Sequence, residues 1–249
     1  MSPPIVLITG GSRGIGAATA LLAAQRGFAV AINYATQAEA ADRLVQRIQA
    51  EGGRAMAVQA DVGEEAQVLN MFAEVDARLG RLSALVNNAG IVDMQARLDE
   101  MSTERLTRMM RINVVGAFVC AREAVRRMST RHGGSGGAIV NLSSAAARLG
   151  SPGQYVDYAA SKGAIDTLTV GLAKEVAEEG IRVNGVRPGL IDTEIHASGG
   201  MPQRAFELAH TVPMKRVGTA QEIANAIVWL LSPESSYVTG ATIDVTGGR

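Results

Sequence analysis

Short apolar runs alternate with longer amphipathic stretches along the whole chain of 249 residues. The apolar runs predict strands at 5–9, 29–34, 55–60, 84–86, 138–142, 181–186 and 241–245. Apolar positions at three- and four-residue steps predict helices at 17–25, 38–50, 64–79, 103–130, 163–176 and 220–231. Because strand and helix alternate throughout, the pattern predicts an α/β fold in one domain, residues 1–249, with a doubly wound parallel sheet and ligands at the carboxyl ends of its strands.

The first predicted strand ends in a glycine-rich turn, GGSRGIG at 10–16, and a helix follows at once. The spacing G-x-x-x-G-x-G differs from the widespread dinucleotide fingerprint, but the physical argument is the same. Glycines let the backbone approach a pyrophosphate, and a helix N-terminus offers N–H groups and a positive dipole end. The turn therefore favours a nucleotide-binding role over an ordinary glycine turn.

The end of the second predicted strand bears on which cofactor binds. A site for NAD usually has Asp or Glu there, whereas this strand ends in Asn33 and Tyr34, and the next acid is Glu39. Arg13 in the glycine turn is placed to meet a 2′-phosphate, although a solvated loop arginine is the alternative. The pattern favours NADP(H), with NAD(H) still possible.

Three further strand ends carry small or polar residues. Asp61 and Val62 follow the third strand, and Asp61 is placed to accept a hydrogen bond from an adenine amine. The fourth strand ends in NNAG at 87–90, where small residues let the backbone lie against a flat ligand. The sixth is followed by Pro188 and Gly189, and the stretch 192–213, with its glycines and two of the three histidines, is predicted to be a substrate lid.

Tyr158 and Lys162 stand four residues apart, so on a helix their side chains share one face and can meet. A phenol is a poor acid or base at neutral pH unless its pKa is brought from near 10 toward 7, and a nearby ammonium in a water-poor site is expected to lower it. Tyr155 has no lysine four residues on and is the weaker candidate. Taken alone, the Y-x-x-x-K spacing is also compatible with an exposed helix pair that has no chemistry.

Composition narrows the function classes. Basic and acidic residues number 24 each, so no charge pattern for nucleic acid or an anionic membrane is visible. The N-terminus lacks a signal-peptide pattern, no apolar run is long enough to span a membrane, and Cys120 is the single cysteine, all of which predict a cytoplasmic protein. Metal-ligand spacing, a G-x-S-x-G elbow and a P-loop are all absent, so no metal site, serine hydrolase or P-loop chemistry is expected.

These motifs together resemble the short-chain dehydrogenase/reductase family over the whole chain, and within it bacterial members of the glucose-1-dehydrogenase-like and 3-oxoacyl-carrier-protein-reductase-like kinds. The matching pieces are TGGSRGIG at 9–16, DV at 61–62, NNAG at 87–90, Asn113, the pair Ser143-Ser144, YAASK at 158–162 and PGLIDT at 188–193. The resemblance implies a Rossmann-type fold and hydride transfer between NADP(H) and a small-molecule carbonyl or secondary alcohol.

The resemblance also implies the roles of individual residues. The catalytic residues would be Asn113, Ser144, Tyr158 and Lys162, with Ser143 as the alternative serine because the interval to Tyr158 is one residue longer than usual. Tyr158 would be the general acid/base, Lys162 would hold the ribose and lower the phenol pKa, and Asn113 would position a water. The cofactor contacts would be Gly10, Ser12, Arg13, Gly14, Ile15, Gly16, Asn33, Tyr34, Asp61, Val62, Asn88, Ala89, Gly90, Tyr158, Lys162, Pro188, Gly189, Ile191 and Thr193.

Several alternatives stay open. A cofactor-binding protein with a regulatory or structural role is the second class of function. Among enzymes, a sugar dehydrogenase competes with a 3-oxoacyl-thioester reductase, and the latter would need a basic surface beside the lid, for which Arg126, Arg127 and Arg131 are candidates. The resemblance further implies a homotetramer, and the apolar residues 229–231 and the segment 237–240 are compatible with its interface or with the core.

Overall fold

A computed structural model describes residues 3–194, 199–201 and 203–249. It confirms the predicted fold class: a single domain with a seven-stranded sheet in the order β3-β2-β1-β4-β5-β6-β7, in which every pair is parallel. The strands are β1 Ile5–Ile8, β2 Ala29–Tyr34, β3 Ala55–Gln59, β4 Ala84–Asn87, β5 Gly137–Leu142, β6 Ile181–Pro188 and β7 Thr242–Val245.

The helices cover both faces of this sheet. They are α1 Gly14–Gln25, α2 Ala38–Ala50, α3 Glu65–Arg78, α4 Thr103–Met110, α5 Gly116–Met128, α6 Ala146–Leu149, α7 Val156–Val176, α8 Arg204–Glu207 and α9 Ala220–Leu231. Short 3₁₀ turns lie at Leu98–Glu100, Thr130–His132, Ala177–Glu179, Ala209–Thr211 and Pro233–Ser235. The sequence pattern does not predict α6 or α8, because helices of a single turn have no period to detect.

The sheet is buried on both faces, which explains why its strands read as continuous apolar runs. On one face Leu7 and Leu85 join a cluster with Phe72 of α3. On the other face Ile8 and Val86 join a cluster with Ile227 of α9. Each fully buried side chain of this size contributes about 2 kcal/mol to folding, so these two layers hold the strand ends in place.

The helix predicted at 103–130 is interrupted, which corrects the sequence expectation. A π-helical turn, Arg111–Val115, separates α4 from α5. Such turns accommodate an extra residue and re-aim side chains. Here the turn carries Asn113, whose buried side chain reaches the segment that follows β4: its Oδ1 accepts from the N–H of Ile91 at 2.8 Å, and its Nδ2 donates to the carbonyl of Ile91 at 2.9 Å.

The strand order reverses between β1 and β4, so the connections leave these neighbouring strands in opposite directions. In open α/β sheets, ligands bind in the crevice at this switch point, beyond the carboxyl ends of the strands. The glycine-rich turn follows β1 and the NNAG segment follows β4. The fold therefore brings these two motifs together at one crevice.

Candidate active site

The glycine-rich turn approaches the NNAG segment too closely for side chains. Gly10 has φ +59°, and a Cβ there would lie 2.9 Å from the Cα of Ala89. A Cβ on Gly16 would lie 2.6 Å from the carbonyl oxygen of Gly10 and 2.7 Å from Nδ2 of Asn88. Backbone thus lines a groove at the start of α1, which fits the phosphates of a dinucleotide.

Asn88 and Thr9 fasten these two segments to each other. Asn88 Nδ2 donates to the carbonyls of Thr9 and Gly10, both at 2.9 Å, and the Thr9 hydroxyl accepts from the N–H groups of Asn88 and Ala89 at 3.0 Å. Asn88 also lines the cleft described below. Sequence reasoning missed the role of Thr9, and its only signal is a polar residue at the end of a buried strand.

Asn33 is predicted to contact the cofactor, and the structure buries its side chain inside the protein. Asn33 is 1% exposed, and its Oδ1 accepts from the N–H of Gly10 at 3.1 Å while its Nδ2 donates to the carbonyl of Ala60 at 3.0 Å. It therefore braces the glycine turn against the end of β3. At this end of β2, Tyr34 is only partly buried, and Ala35, Thr36 and Gln37 are exposed.

Tyr158, Ser144 and Lys162 line one cleft of about 180 Å³ at the carboxyl ends of the strands. Tyr158 and Lys162 lie in the first turns of α7, with Lys162 Nζ 5.7 Å from the centre of the Tyr158 ring. The cleft is continuous with the glycine turn at Ile15 and with Asn88 and Gly90. The i, i+4 pair is therefore part of a concave site and is not an exposed helix face.

The two candidate serines have different environments. The Ser143 hydroxyl is buried and donates to the main-chain carbonyl of Lys162 at 3.1 Å. The Ser144 hydroxyl forms a hydrogen bond with Tyr158, and its oxygen accepts from the N–H of Ala146 at 3.1 Å. This arrangement favours Ser144 for a role at the reacting atoms.

Lys162 is buried to 5% exposure, and Nζ donates to the carbonyl of Leu142 at 2.7 Å. Burial lowers the pKa of Lys162 from 10.5 to about 8, and the carboxylate of Asp166 opposes this shift. The side chain therefore carries its positive charge at neutral pH and loses it within the mildly alkaline range.

The direction of the Tyr158 pKa corrects the sequence expectation. Burial raises the pKa of the Tyr158 phenol above its ordinary value of 10, and the hydrogen bond with Ser144 opposes this without reversing it. The desolvation of the phenolate in this buried position is the larger of the two effects. In this structure Tyr158 is held as the protonated phenol.

Asn113 belongs to a buried polar chain beside the pair. Its Nδ2 donates to the Ser161 hydroxyl at 3.1 Å, in addition to its bonds with Ile91. A Cβ on Gly90 would lie 3.4 Å from both Asn113 Oδ1 and Lys162 Nζ. Only a glycine separates the amide from the ammonium, so both can reach a small polar ligand at this point.

The remaining predicted contacts fall on two sides of the crevice. Asp61 accepts from the N–H of Gly63 at 2.8 Å and follows β3 together with the buried Val62. Thr193 lies against the glycine turn, 3.3 Å from where a Cβ of Gly14 would be. Ser12 is partly buried and Arg13 is exposed at the start of α1. Four predicted contacts line the cleft at the end of β6 and just beyond it: Pro188, Gly189, Ile191 and Thr193.

Part of the predicted lid lies outside the described residues, namely 195–198, which includes His196, and 202. Of its described part, Thr193, Gly199 and Arg204 line the cleft. Arg204 and Arg249 are cleft residues that sequence reasoning missed, because neither belongs to a motif.

The basic surface considered for a carrier protein is neutralised. Arg126 pairs with Glu123 at 2.8 Å, Arg127 with Asp76 at 2.7 Å, and Arg131 with Glu179 at 3.1 Å. These arginines lie where α5 ends and leads into the start of β5, at the amino edge of the sheet, whereas the cleft is at the carboxyl edge. They are therefore not beside the lid.

Two other features bear on the class of protein. Within the described ranges, no group of three or more His, Cys, Asp or Glu side chains is arranged to hold a metal ion, and no helix is both long and apolar enough to cross a membrane. Cys120 is buried, and burial raises its thiol pKa from 9.0 to about 12, so it does not act as a nucleophile at neutral pH.

The fold and cleft define a dinucleotide-binding α/β protein with a Ser, Tyr and Lys at the switch point, and comparison with known proteins agrees. A family model described as enoyl-(acyl carrier protein) reductase matches residues 10–249. The chain is 58% identical to the uncharacterized oxidoreductase YgfF of Escherichia coli over 245 residues, which cover 98% of this chain and 99% of that protein. It is 38% identical to the 3-oxoacyl-[acyl-carrier-protein] reductase FabG of Staphylococcus aureus, over 97% of this chain and 96% of that one.

A solved structure is similar along its full length. The short-chain dehydrogenase of Burkholderia cenocepacia in complex with NADP is 34% identical, with a TM-score of 0.91 over 99% of this chain and 98% of that one. The chain belongs to the short-chain dehydrogenase/reductase family. It is an enzyme, an oxidoreductase acting on CH–OH or C=O groups.

Proposed function

We propose that the protein interconverts a carbonyl and a secondary alcohol with NADP(H), using Tyr158 as the general acid/base. The observation that carries this proposal is the cleft in which Tyr158, Ser144 and Lys162 meet, continuous with a backbone-lined groove at the glycine turn. A groove for phosphates beside a phenol, a hydroxyl and an ammonium is a combination suited to hydride transfer to a carbonyl.

The residues divide the chemistry among them. The bound cofactor supplies or accepts the hydride at the carbonyl carbon. The Ser144 hydroxyl, which lines the same cleft as Tyr158, would donate a hydrogen bond to the carbonyl oxygen. Tyr158 gives its proton to that oxygen as negative charge develops there, which completes the alcohol and leaves a tyrosinate. Lys162 would stabilise the tyrosinate and would hold a ribose hydroxyl of the cofactor, and Tyr158 would then regain a proton from solvent.

The raised pKa of Tyr158 supports reduction as the favoured direction. A phenol that is protonated at neutral pH is ready to donate, whereas alcohol oxidation needs the phenolate first. We therefore expect the rate of alcohol oxidation to rise with pH in the alkaline range.

NADP(H) is the preferred cofactor in this proposal. Arg13 is exposed at the start of α1 without an acid partner in the described part of the chain, and no acid stands at the end of β2. A guanidinium there suits a 2′-phosphate. The Burkholderia relative was solved with NADP, which is in keeping with this choice. NAD(H) remains the alternative cofactor.

A cofactor-binding protein without catalysis is the competing function. The hydrogen bond between Ser144 and Tyr158 argues against it, because a purely structural site does not need two proton donors turned to the same cleft. Two substrate classes compete, sugars and carrier-bound thioesters. The thioester has less support, because the arginines at the end of α5 and in the turn after it are paired with carboxylates.

Assembly and location complete the proposal. Val115, Phe118 and Val170 are large apolar residues left exposed on the long helices, which supports a homotetramer formed through them. Leu230 and Leu231 belong to the core, so they do not serve an interface.

We also propose that residues 192–213 form the substrate lid. The enzyme is further proposed to be cytoplasmic, in keeping with an unpaired, buried Cys120.

The test is to follow NADPH absorbance with a panel of aldehydes, ketones, oxo acids and acyl thioesters, beside NADP⁺ with sugars and secondary alcohols. Turnover that disappears in Tyr158→Phe, while NADPH still binds, supports the proposal. Tight NADPH binding without turnover of any carbonyl or alcohol would move the assignment to the non-catalytic function.

A further inference from the structure

Two arginines line the cleft beside the proposed catalytic residues, and neither has a carboxylate partner. They are Arg204 of α8 and Arg249. Within the residues that the structure describes, neither forms a salt bridge. By contrast, a carboxylate pairs with each of Arg105, Arg108, Arg187 and Arg216. Among the described residues that line this cleft, the charged side chains are those of Lys162, Arg204 and Arg249, and none is an Asp or Glu.

Arg204 is held in place rather than solvated. Its guanidinium carbon lies 5.3 Å from the centre of the Tyr155 ring, and Nη2 donates to Gln154 Oε1 at 2.7 Å. The Gln154 carbonyl in turn accepts from the N–H of Ala96 at 3.1 Å. Stacking on an aromatic face orients the planar guanidinium and leaves Nε and Nη1 without a hydrogen-bond acceptor in the described part of the chain.

Arg249 faces the same space from another segment. It follows Gly247 and Gly248, which pack against Val212 and Pro213. Burial lowers the pKa of Arg249, and the positive charge of Arg204 lowers it further. Two like charges brought together in a partly buried cleft repel each other, and an anion between them would remove this repulsion.

The position of Arg204 and Arg249 indicates that they would bind the substrate and not the cofactor phosphates. The hydrogen bond and ring contact of Arg204 go to residues 154 and 155, just before Tyr158. The phosphate groove is instead built by the glycine turn with residues 88, 89 and 193. Arg204 thus lies beside the segment that leads into α7 and Tyr158, and Arg249 lines the same cleft.

We infer that Arg204 and Arg249 together bind an oxoanion on the substrate, so that the enzyme prefers a ketone or aldehyde bearing a carboxylate or phosphate. This inference rests on the proposed function, since it names the substrate class of the same site. A guanidinium pair matches the planar oxygens of a carboxylate and the tetrahedral oxygens of a phosphate, so both sources are tested.

The first measurement is turnover of matched substrate pairs with NADPH. The pairs are short linear oxo acids beside their methyl esters, and dihydroxyacetone phosphate beside dihydroxyacetone. We expect the wild type to prefer the anionic member of at least one series, and the preferred series identifies carboxylate or phosphate. In Arg204→Gln and Arg249→Gln, kcat/KM for that member should fall about 10–100-fold, mainly through KM, because each removes a hydrogen bond to a charged group.

Turnover of the neutral members should fall much less than turnover of the anionic members. Arg204→Lys should recover part of the loss, and Arg43→Gln, at an exposed arginine on α2, should change neither. A wild type that prefers the neutral members, or equal losses for both members in the variants, overturns the inference while the proposed function stands.

Binding gives a second readout that does not depend on turnover. The protein saturated with NADP⁺ is titrated calorimetrically with butyrate and with inorganic phosphate. Weaker binding of one anion in both glutamine variants supports the pair as an anion site, and unchanged binding of both overturns it. Absence of turnover with any carbonyl, with this anion binding intact, would instead count against the proposed function alone.

Discussion

The guanidinium of Arg105 holds the carboxylate of Asp157, the residue directly before Tyr158, through hydrogen bonds of 2.8 Å from Nε and 3.2 Å from Nη2. Arg105 Nη1 also donates to the carbonyl of Met94 at 2.6 Å, and Asp157 Oδ1 accepts from the N–H of Tyr158 at 2.9 Å. One ion pair therefore joins α4, the segment after β4 and the first turn of α7. The side chains of Arg105 and Asp157 are 13% and 0% exposed, so water cannot replace either partner.

Removing one partner of this pair should destabilise the fold strongly. In Arg105→Leu the Asp157 carboxylate stays buried without a counter-ion, which costs about 3–5 kcal/mol. Urea unfolding measures this loss. Arg43→Leu is the matched control, because its pair with Glu39 is 70% and 92% exposed, and it should cost less than about 1 kcal/mol. Equal losses in the two variants would contradict the importance of the buried pair.

Loss of the Tyr158 hydroxyl should stop turnover and leave the cofactor in place. We expect Tyr158→Phe to lower kcat by about 10²–10⁴, the usual contribution of a positioned general acid, with little change in the Kd for NADPH. Steady-state rates and a fluorescence titration measure the two quantities. Tyr237→Phe removes a hydroxyl from a fully exposed tyrosine and serves as the control. A Tyr158→Phe enzyme that keeps more than about a tenth of the wild-type rate would refute the general-acid role.

Lys162 should give NADPH binding a dependence on pH. Its pKa of about 8 means that the ammonium which would hold the ribose is lost as pH rises through that value. We expect the Kd for NADPH to increase through pH 8 in the wild type and to stay flat there in Lys162→Met. The same variant at Lys174, an exposed lysine on α7, should behave like the wild type.

Lys162 should also make the stability of the fold depend on pH, and here stability should rise over the pH range in which NADPH binding weakens. The folded pKa of about 8 lies below the ordinary value of 10.5, so the cost of burying the charge is fully present below pH 8. Between these two values the unfolded chain binds more protons, and stability contributed by this group rises with pH. Denaturant unfolding across this range should show a rise that is missing in Lys162→Met, and a fall specific to the wild type would contradict the pKa direction.

Cofactor choice should respond to charge at the end of β2 and in the glycine turn. Tyr34→Asp should weaken NADPH about tenfold relative to NADH through repulsion of the 2′-phosphate, and Arg13→Gln should act in the same direction by removing an attraction. The ratio of the two Kd values is the measurement. Asn33→Asp is not a suitable test, because Asn33 is buried and donates to the Ala60 carbonyl. An unchanged ratio in both variants would remove the argument for NADP(H).

Assembly can be tested at the exposed apolar face of α5. Phe118 is 48% exposed. If this face forms the interface of a homotetramer, Phe118→Arg should lower the molecular mass in solution, measured by light scattering after gel filtration. Leu69→Arg, on the exposed face of α3 and 39% exposed, should leave the mass unchanged. A wild-type monomer would contradict the proposed assembly.

The sequence by itself determined the order of strands and helices, the parallel sheet and the end of the sheet at which the predicted site residues lie. These features depend on local spacing: apolar runs define buried strands, and the four-residue step from Tyr158 to Lys162 defines a shared helix face. Even helix bounds such as Ala38–Ala50 and Ala220–Leu231 follow from the pattern alone. The glycine spacing at 10–16 predicted the backbone-lined groove at the start of α1 for the same reason.

Only the tertiary structure decided what depends on segments far apart in the chain. It turned Asn33 into a brace between β1, β2 and β3, because its burial depends on how three strands meet. It gave Ser143 and Ser144 different hydrogen-bond partners, and it raised the phenol pKa because desolvation depends on the packing around the cleft. It brought Arg204 and Arg249 into that cleft from two distant segments, a proximity that no local pattern encodes.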